Sequence, residues 1–176
     1  MIELLKNLEP RREKKGSVLF EELEEITEIF FISQGTIDIG YEINKTTKYV
    51  LRYSDKKVAI GAYNCSFSTR SLFIYRCKTE CIGYFIRKSA WMEILGMDEQ
   101  IENYIKQNIE NDYNNNIKRK VLTVKDMHIK KMAKREDLKQ ILVISNKDKN
   151  GNPSGSIIKP AGEADMYKTI DSSCNQ

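Results

Sequence analysis

The sequence predicts an α+β protein: an antiparallel β-roll of the jelly-roll-like barrel type, flanked by a short N-terminal helix and by C-terminal helices. Three observations predict it. Between Gly16 and Ile86, short runs of β-branched and aromatic residues recur between turn residues, the spacing of a strand roll. A short amphipathic run comes before them, and an apolar period of three and four residues comes after. The 176 residues are 40% hydrophobic and 31% charged, the balance of a globular chain that buries one core.

Taken in order, IELLKNLE (2–9) carries apolar side chains at 2, 4, 5 and 8, a helix that ends before Pro10. From Gly16, the segments SVLF, EIFFISQG, TIDIGYEI, KYVLRY, VAIG, LFIYRCKT and CIGYFI read as strands. Gly35, Asn44-Lys45 and Ser54-Asp55 punctuate them. TIDIGYEI alternates apolar with polar or small side chains, the pattern of a half-buried strand.

From Ser89, a plausible N-cap, the period lengthens, and Trp91, Ile94 and Leu95 share a helical face that ends at Gly96. Asp98 then caps a longer helix with Ile101, Tyr104, Ile105, Ile109, Tyr113 and Ile117 on it. The stripe continues through Val121, Val124 and His128 to Met132. Asparagines between Asn103 and Asn116 lower helix propensity, so a break is expected near 111–116. LKQILVIS (138–145) reads as a last short strand, and 146–176 as a disordered tail. The expected domain is thus 1–145, with the roll over 16–88 and the helices over 89–135.

Several classes of function are disfavoured. No apolar run reaches the ~18 residues that a bilayer span needs. The start, MIELLKNLEPRREKK, lacks the apolar stretch of a signal peptide, so the expectation is a cytoplasmic chain that does not insert into a membrane. Cysteines at 65, 77, 81 and 174, with His128 the sole histidine, give no metal-binding spacing and read as reduced thiols. Nucleophile-elbow, zincin, Walker and dinucleotide motifs are missing, and the acidic run Glu21 to Glu28 reads as a solvated edge or loop. No catalytic residue is assigned. An enzyme is not expected.

The net charge of +4 is unevenly spread, with basic clusters at Arg11 to Lys15 and from Lys118 to Lys139. Such blocks are solvated helix faces, or else partner or lipid-headgroup surfaces. Aromatic residues are not interleaved with them, which disfavours stacking on single-stranded nucleic acid. One stretch invites chemistry: IGAYNCSFSTRSLFIYRCKT, Ile60 to Thr79. A glycine turn, a short polar cradle and Arg70 and Arg76 are what a loop gripping one phosphate needs.

EIFFISQGTIDIG, VAIGAYN and FIYRCKTECIGYFIRKSAWMEIL resemble the cyclic-nucleotide-binding domain family over about residues 2–135. The similarity is greatest to the cytosolic domains of ciliate and ether-à-go-go-like potassium channels. The resemblance implies a regulatory module in which Gly61 opens a phosphate-binding cassette for cAMP or cGMP. It also implies a cytosolic or ciliary setting, a channel's transmembrane region or another protein as partner, and a homotetramer in the channel context. DNA is not expected as a partner, because no helix-turn-helix follows the long helix.

Two positions depart from the family's pattern. The family's nucleotide-binding members place glutamate after the cassette glycine, where it meets the ribose hydroxyl; here Gly61 is followed by Ala62. They place arginine, then threonine or serine, before the next strand; here Ser71 and Leu72 fall at those positions, and Arg70 lies one residue early. A one-residue slip along a strand reverses a side chain's face, although a loop could absorb it. A hydrogen bond to a charged group contributes about 1.5–3 kcal/mol, so losing both contacts removes about two to four decades of affinity.

The expectation is therefore a degenerate cassette at Gly61, Ala62, Tyr63, Asn64, Arg70 and Ser71, with no cofactor. The resemblance further suggests that Ile141, Leu142, Val143 and Ile144 form a strand that stands in for the nucleotide. Two alternatives stay open. One is a genuine cAMP or cGMP sensor that uses Arg70 and the backbone N–H groups of Ala62 to Asn64. The other is a scaffold component that docks an acidic protein surface through Lys130, Lys131, Lys134 and Arg135.

Overall fold

The computed structural model describes residues 2–54 and 58–145, with side chains from 3 to 54 and from 58 to 139. Its contacts divide the chain into two units, Met1–Thr123 and Val124–Gln176. The first unit begins with helix α1 (Ile2–Lys6) and then strands β1 (Glu9–Glu13) and β2 (Val18–Phe20). It continues through β3 (Glu28–Gln34), β4 (Thr36–Ile43), β5 (Thr46–Ser54) and β6 (Val58–Ile60). Helix α2 (Ala62–Phe67) interrupts the strands before β7 (Ile74–Cys77) and β8 (Cys81–Arg87).

These strands form two four-stranded antiparallel sheets, one in the order β1-β8-β3-β6 and the other β2-β7-β4-β5. Ile37, Ile39 and Tyr41 of β4 are buried in the core with Ile29 and Phe30 of β3 and Ile86 of β8, but Asp38 and Gly40 on its other face are buried too, so β4 is not the half-buried strand that the alternation predicts. The β3–β4 turn needs Gly35, whose φ is +112° and whose added Cβ would lie 2.4 Å from the Glu80 carbonyl. Cys77 ends a strand of one sheet and Cys81 begins a strand of the other. Both are buried, and burial raises both thiols above their ordinary pKa.

The opposite face of β4 carries an ionic row. Asp38 is paired across the strands with Arg52 and Arg76, at 2.7 Å and 3.5 Å, and is itself only 3% exposed. The Arg76 guanidinium lies 3.8 Å from the centre of the Tyr49 ring. The buried carboxylate is thus matched by two partly exposed cations.

After the roll come α3 (Lys88–Leu95), α4 (Glu99–Asp112), a π-helical turn (Tyr113–Lys118) and α5 (Arg119–Ser145). Asp98 caps α4 as expected, accepting from the N–H groups of Gln100 and Ile101 at 2.9 Å and 3.0 Å. The π turn falls where the asparagines predict a break, and the chain stays helical through it. Ile105, Ile109, Tyr113, Ile117 and Val121 recur every fourth residue, from half-buried at Ile105 and Ile109 to buried thereafter. In an α-helix each such step drifts about 40° around the axis, so the stripe would leave the roll. The wider π turn takes part of that drift back.

Four expectations are corrected. β1 puts the roll's first strand at Glu9, ahead of Gly16, using EPRRE, whose lone proline sits at an edge strand. Ser89 does not cap α3: Arg87 holds the N-cap position without a side-chain bond, and the Lys88 N–H donates to the Thr27 carbonyl at 2.8 Å. The N-terminal helix is Ile2–Lys6 and not 2–9, because Glu9 already belongs to β1. Finally, 138–145 is the end of α5 and not a strand, so Ile141, Leu142, Val143 and Ile144 are helical. A short apolar run fits either state, and extending an existing helix by a few residues needs no new nucleus.

The second unit is described from Val124 to Ser145, all of it within α5. The tail expected over 146–176 lies outside the described residues. No described helix is long and apolar enough to cross a membrane.

Candidate functional site

β6 delivers the chain to Gly61, whose φ of +86° no side chain adopts without strain. An added Cβ there would also lie 2.7 Å from the Glu28 carbonyl, so space and backbone both require glycine. The turn starts α2, and Ser68, in the left-handed region at φ 50°, ends it. Thr69, Arg70 and Ser71 then lead into β7. Gly61 thus lies between two strands, β6 and β7, with α2 directly after it.

Inside it, the polar side chains are engaged with the protein itself. The buried Asn64 side-chain amide donates to the Arg70 carbonyl at 2.9 Å and to Thr69 at 3.4 Å, while the Asn64 backbone carbonyl accepts the Thr69 N–H at 3.0 Å. Asn64 is therefore a strap across the loop. The Ser71 hydroxyl, 1% exposed as a residue, donates to the Phe73 carbonyl at 2.6 Å. The Ser71 backbone is pinned from the other side, its N–H to the Glu24 carbonyl at 2.9 Å and its carbonyl to the Leu23 N–H at 2.8 Å. Ser66 accepts from the Trp91 indole at 2.9 Å, which ties α2 to α3. Among the described residues, no buried side-chain nitrogen or oxygen lacks a partner.

Arg70 is exposed, and its backbone forms a bridge with Glu25. Ala62 is buried and offers no acceptor side chain. Tyr63 is covered by aromatic rings. It stacks on Tyr113 of the π turn, with centroids 4.1 Å apart and planes 6° from parallel, and meets Phe67 at 4.9 Å. Phe73 approaches Tyr113 from the strand side at 6.4 Å. Burial pushes the Tyr113 hydroxyl far above its ordinary pKa, and it pushes the Cys65 thiol of α2 up to about 12.

Of the residues singled out by sequence, the fold brings Asn64 and the Arg70 backbone together and sends the Arg70 and Ser71 side chains different ways. Ile141 to Ile144 belong to the second unit. Sequence reading missed the Tyr63–Tyr113 stack, although the four-residue stripe was a signal that Tyr113 is buried. Two clefts lie elsewhere, one of about 530 Å³ lined by Thr27, Arg87, Lys88 and Met92 among others, and one of about 240 Å³ beside Arg12 and Tyr84. Neither takes a wall from residues 61–71.

No protein-family model matches the sequence, and no curated protein matches it. Solved structures do. A protein from Silicibacter pomeroyi DSS-3, named as a candidate cAMP-binding regulatory protein, superposes with a TM-score of 0.53 at 16% identity, over 63% of this chain and 51% of its own. The C-linker and cyclic-nucleotide-binding-homology domain of zELK channels gives 0.54 at 15%, over 62% and 55%. The fold is that of a cyclic-nucleotide-binding domain. A third structure with it, the regulatory subunit of a cAMP-independent protein kinase A from Trypanosoma cruzi bound to guanosine, gives 0.53 at 15%, over 64% and 38%. This chain spans about half the length of the first two proteins and less of the third. At these identities the likeness is one of fold.

Proposed function

We propose that this chain is a non-catalytic regulatory module, a cyclic-nucleotide-binding-like domain that has kept the shell and lost the messenger. The observation that carries the reading is the Ser71 hydroxyl, turned onto the Phe73 carbonyl at the position where binding members of the family carry the phosphate-gripping arginine. Three further features support it: Ala62 where an acceptor carboxylate is needed, Arg70 held at the surface, and Tyr113 stacked over Tyr63. The resident of the roll's mouth is then the protein's own π turn, in place of the extended 141–144 strand that sequence reading expected.

The setting that suits such a part is the cytosolic region of a cation channel of the ether-à-go-go-like or ciliate kind. There, a helix moving against a roll is the two-state element that a ligand or a resident side chain biases. A docking role for the same fold outside a channel is the second setting.

Isothermal calorimetry with cAMP, cGMP and guanosine at millimolar concentration tests the reading, and no heat of binding is the expected result. Guanosine belongs in the series because it needs no phosphate grip. A dissociation constant tighter than about 10 μM (about −7 kcal/mol) that weakens on Arg70→Ala would overturn the proposal.

A further inference from the structure

Helix α5 has a charged side that the roll's ligand chemistry does not use. Between Asp126 and Lys139 every residue is exposed except His128 and Met132, which are half-buried. At about 100° per residue, Met127, Lys130, Lys131, Lys134, Arg135 and Leu138 fall within an arc of about 140° along about 16 Å of helix. Met127 and Leu138, both apolar, are 48% and 51% exposed. The acidic residues of this span, Asp126, Glu136 and Asp137, all lie outside the arc. Four cations interspersed with two exposed apolar side chains therefore share one side of this helical span.

We infer that this side of α5 lies on an anionic phospholipid surface. Three features favour a lipid leaflet over an acidic protein or a nucleic acid. The cations are three lysines and one arginine, and lysine's hydrated point charge suits a diffuse anionic field better than the directed pairing an acidic protein pocket demands. No Trp, Tyr or Phe occurs anywhere on α5 to anchor a protein hot spot or to stack on bases. Met127 and Leu138 are exposed among these cations, so they meet the apolar edge of a leaflet where the lysines meet its phosphates, and a polyphosphate chain gives them nothing apolar to enter. The chain adsorbs on the leaflet and does not cross it. This contact is independent of whether the cassette binds a nucleotide.

Each lysine or arginine held near an anionic leaflet strengthens binding about fivefold. The full chain is mixed with vesicles of phosphatidylcholine alone, or with about a third of the lipid replaced by phosphatidylserine, and sedimented at low and at physiological salt. Expected is co-sedimentation with the anionic vesicles only, weakened by salt. The quadruple variant K130Q/K131Q/K134Q/R135Q should lose a hundredfold or more, with unchanged circular dichroism since all four side chains are exposed. Met127→Ser with Leu138→Ser should remove the salt-resistant part of the binding.

Three results would each overturn the inference. One is wild-type protein that stays in the supernatant with anionic vesicles. Another is a quadruple variant that binds within threefold of wild type. The last is duplex nucleic acid or polyglutamate displacing the protein from vesicles at equal anionic charge.

Discussion

At the scale of single residues, the fold depends on a few positions with no tolerance. Gly61→Ala forces a left-handed backbone on an L side chain and drives its Cβ against the Glu28 carbonyl, 2.7 Å away. A loss of about 2–3 kcal/mol is expected, read as a drop of several degrees in the thermal midpoint. Asp38→Ala leaves Arg52 and Arg76 facing each other across β4 without their shared carboxylate, and should cost about 2 kcal/mol, moderated because both guanidiniums reach water. Chemical denaturation would register it as a lower midpoint with an unchanged slope. Tyr53 sets an alkaline limit. Burial first, then the charge of Asp112, pushes its hydroxyl from 10.0 up to about 12. Its folded pKa is raised, so its contribution is complete below pH 10 and is lost as pH rises toward 12. Thermal midpoints taken across that window should fall, and Tyr53→Phe should flatten part of the fall. Of these residues, Gly61 was legible in the sequence because a glycine between two strand patterns has few other uses. The Arg52–Asp38–Arg76 row was not, because its members are brought together by sheet register alone.

At the scale of elements, the sequence revealed periods better than partners. The seven strand runs after Gly16 appear as strands because alternation and β-branching are local properties. β1 was hidden by its composition: EPRRE reads as a charged linker and becomes a strand only by pairing with β8, from Glu9 opposite Phe85 to Glu13 opposite Cys81. The 138–145 segment erred in the other direction, since its apolar run fits a strand locally while the 19 preceding residues of α5 already carry the helix. The π turn has the clearest energetic content. Tyr113→Ala removes a ring that Tyr63 and Phe73 both meet, and should cost about 3–4 kcal/mol. Tyr113→Phe keeps the ring and should stay within about 0.5 kcal/mol of wild type. Equal losses in the two variants would mean that the hydroxyl, not the stack, holds the turn in place.

At the scale of the whole molecule, the buried core among the described residues ends at Val121, with Leu122 packed against it. A chain truncated after Thr123 should therefore still unfold in one cooperative transition, within a few degrees of the full-length midpoint; a broad, non-cooperative melt would refute that. The candidate site was half legible. That Gly61 and Ala62 follow β6 and Ser71 precedes β7 could be read by position alone. The Asn64 strap and the Tyr113 stack could not, because one is a choice among hydrogen-bond partners and the other joins residues fifty positions apart. The stack also gives the asparagine-rich stretch a meaning beyond weak helix propensity. A π turn holds a surplus residue, so the stretch behaves like a vernier between two screw threads. Excising Asn115 alone would let the turn revert to α-helix with Ile117 and Val121 still in phase with Ile109, whereas excising a second asparagine would rotate both by about 100°. An alignment that treated this run as freely variable in length would misjudge it, since its length, more than its composition, sets which of the following side chains meet the core.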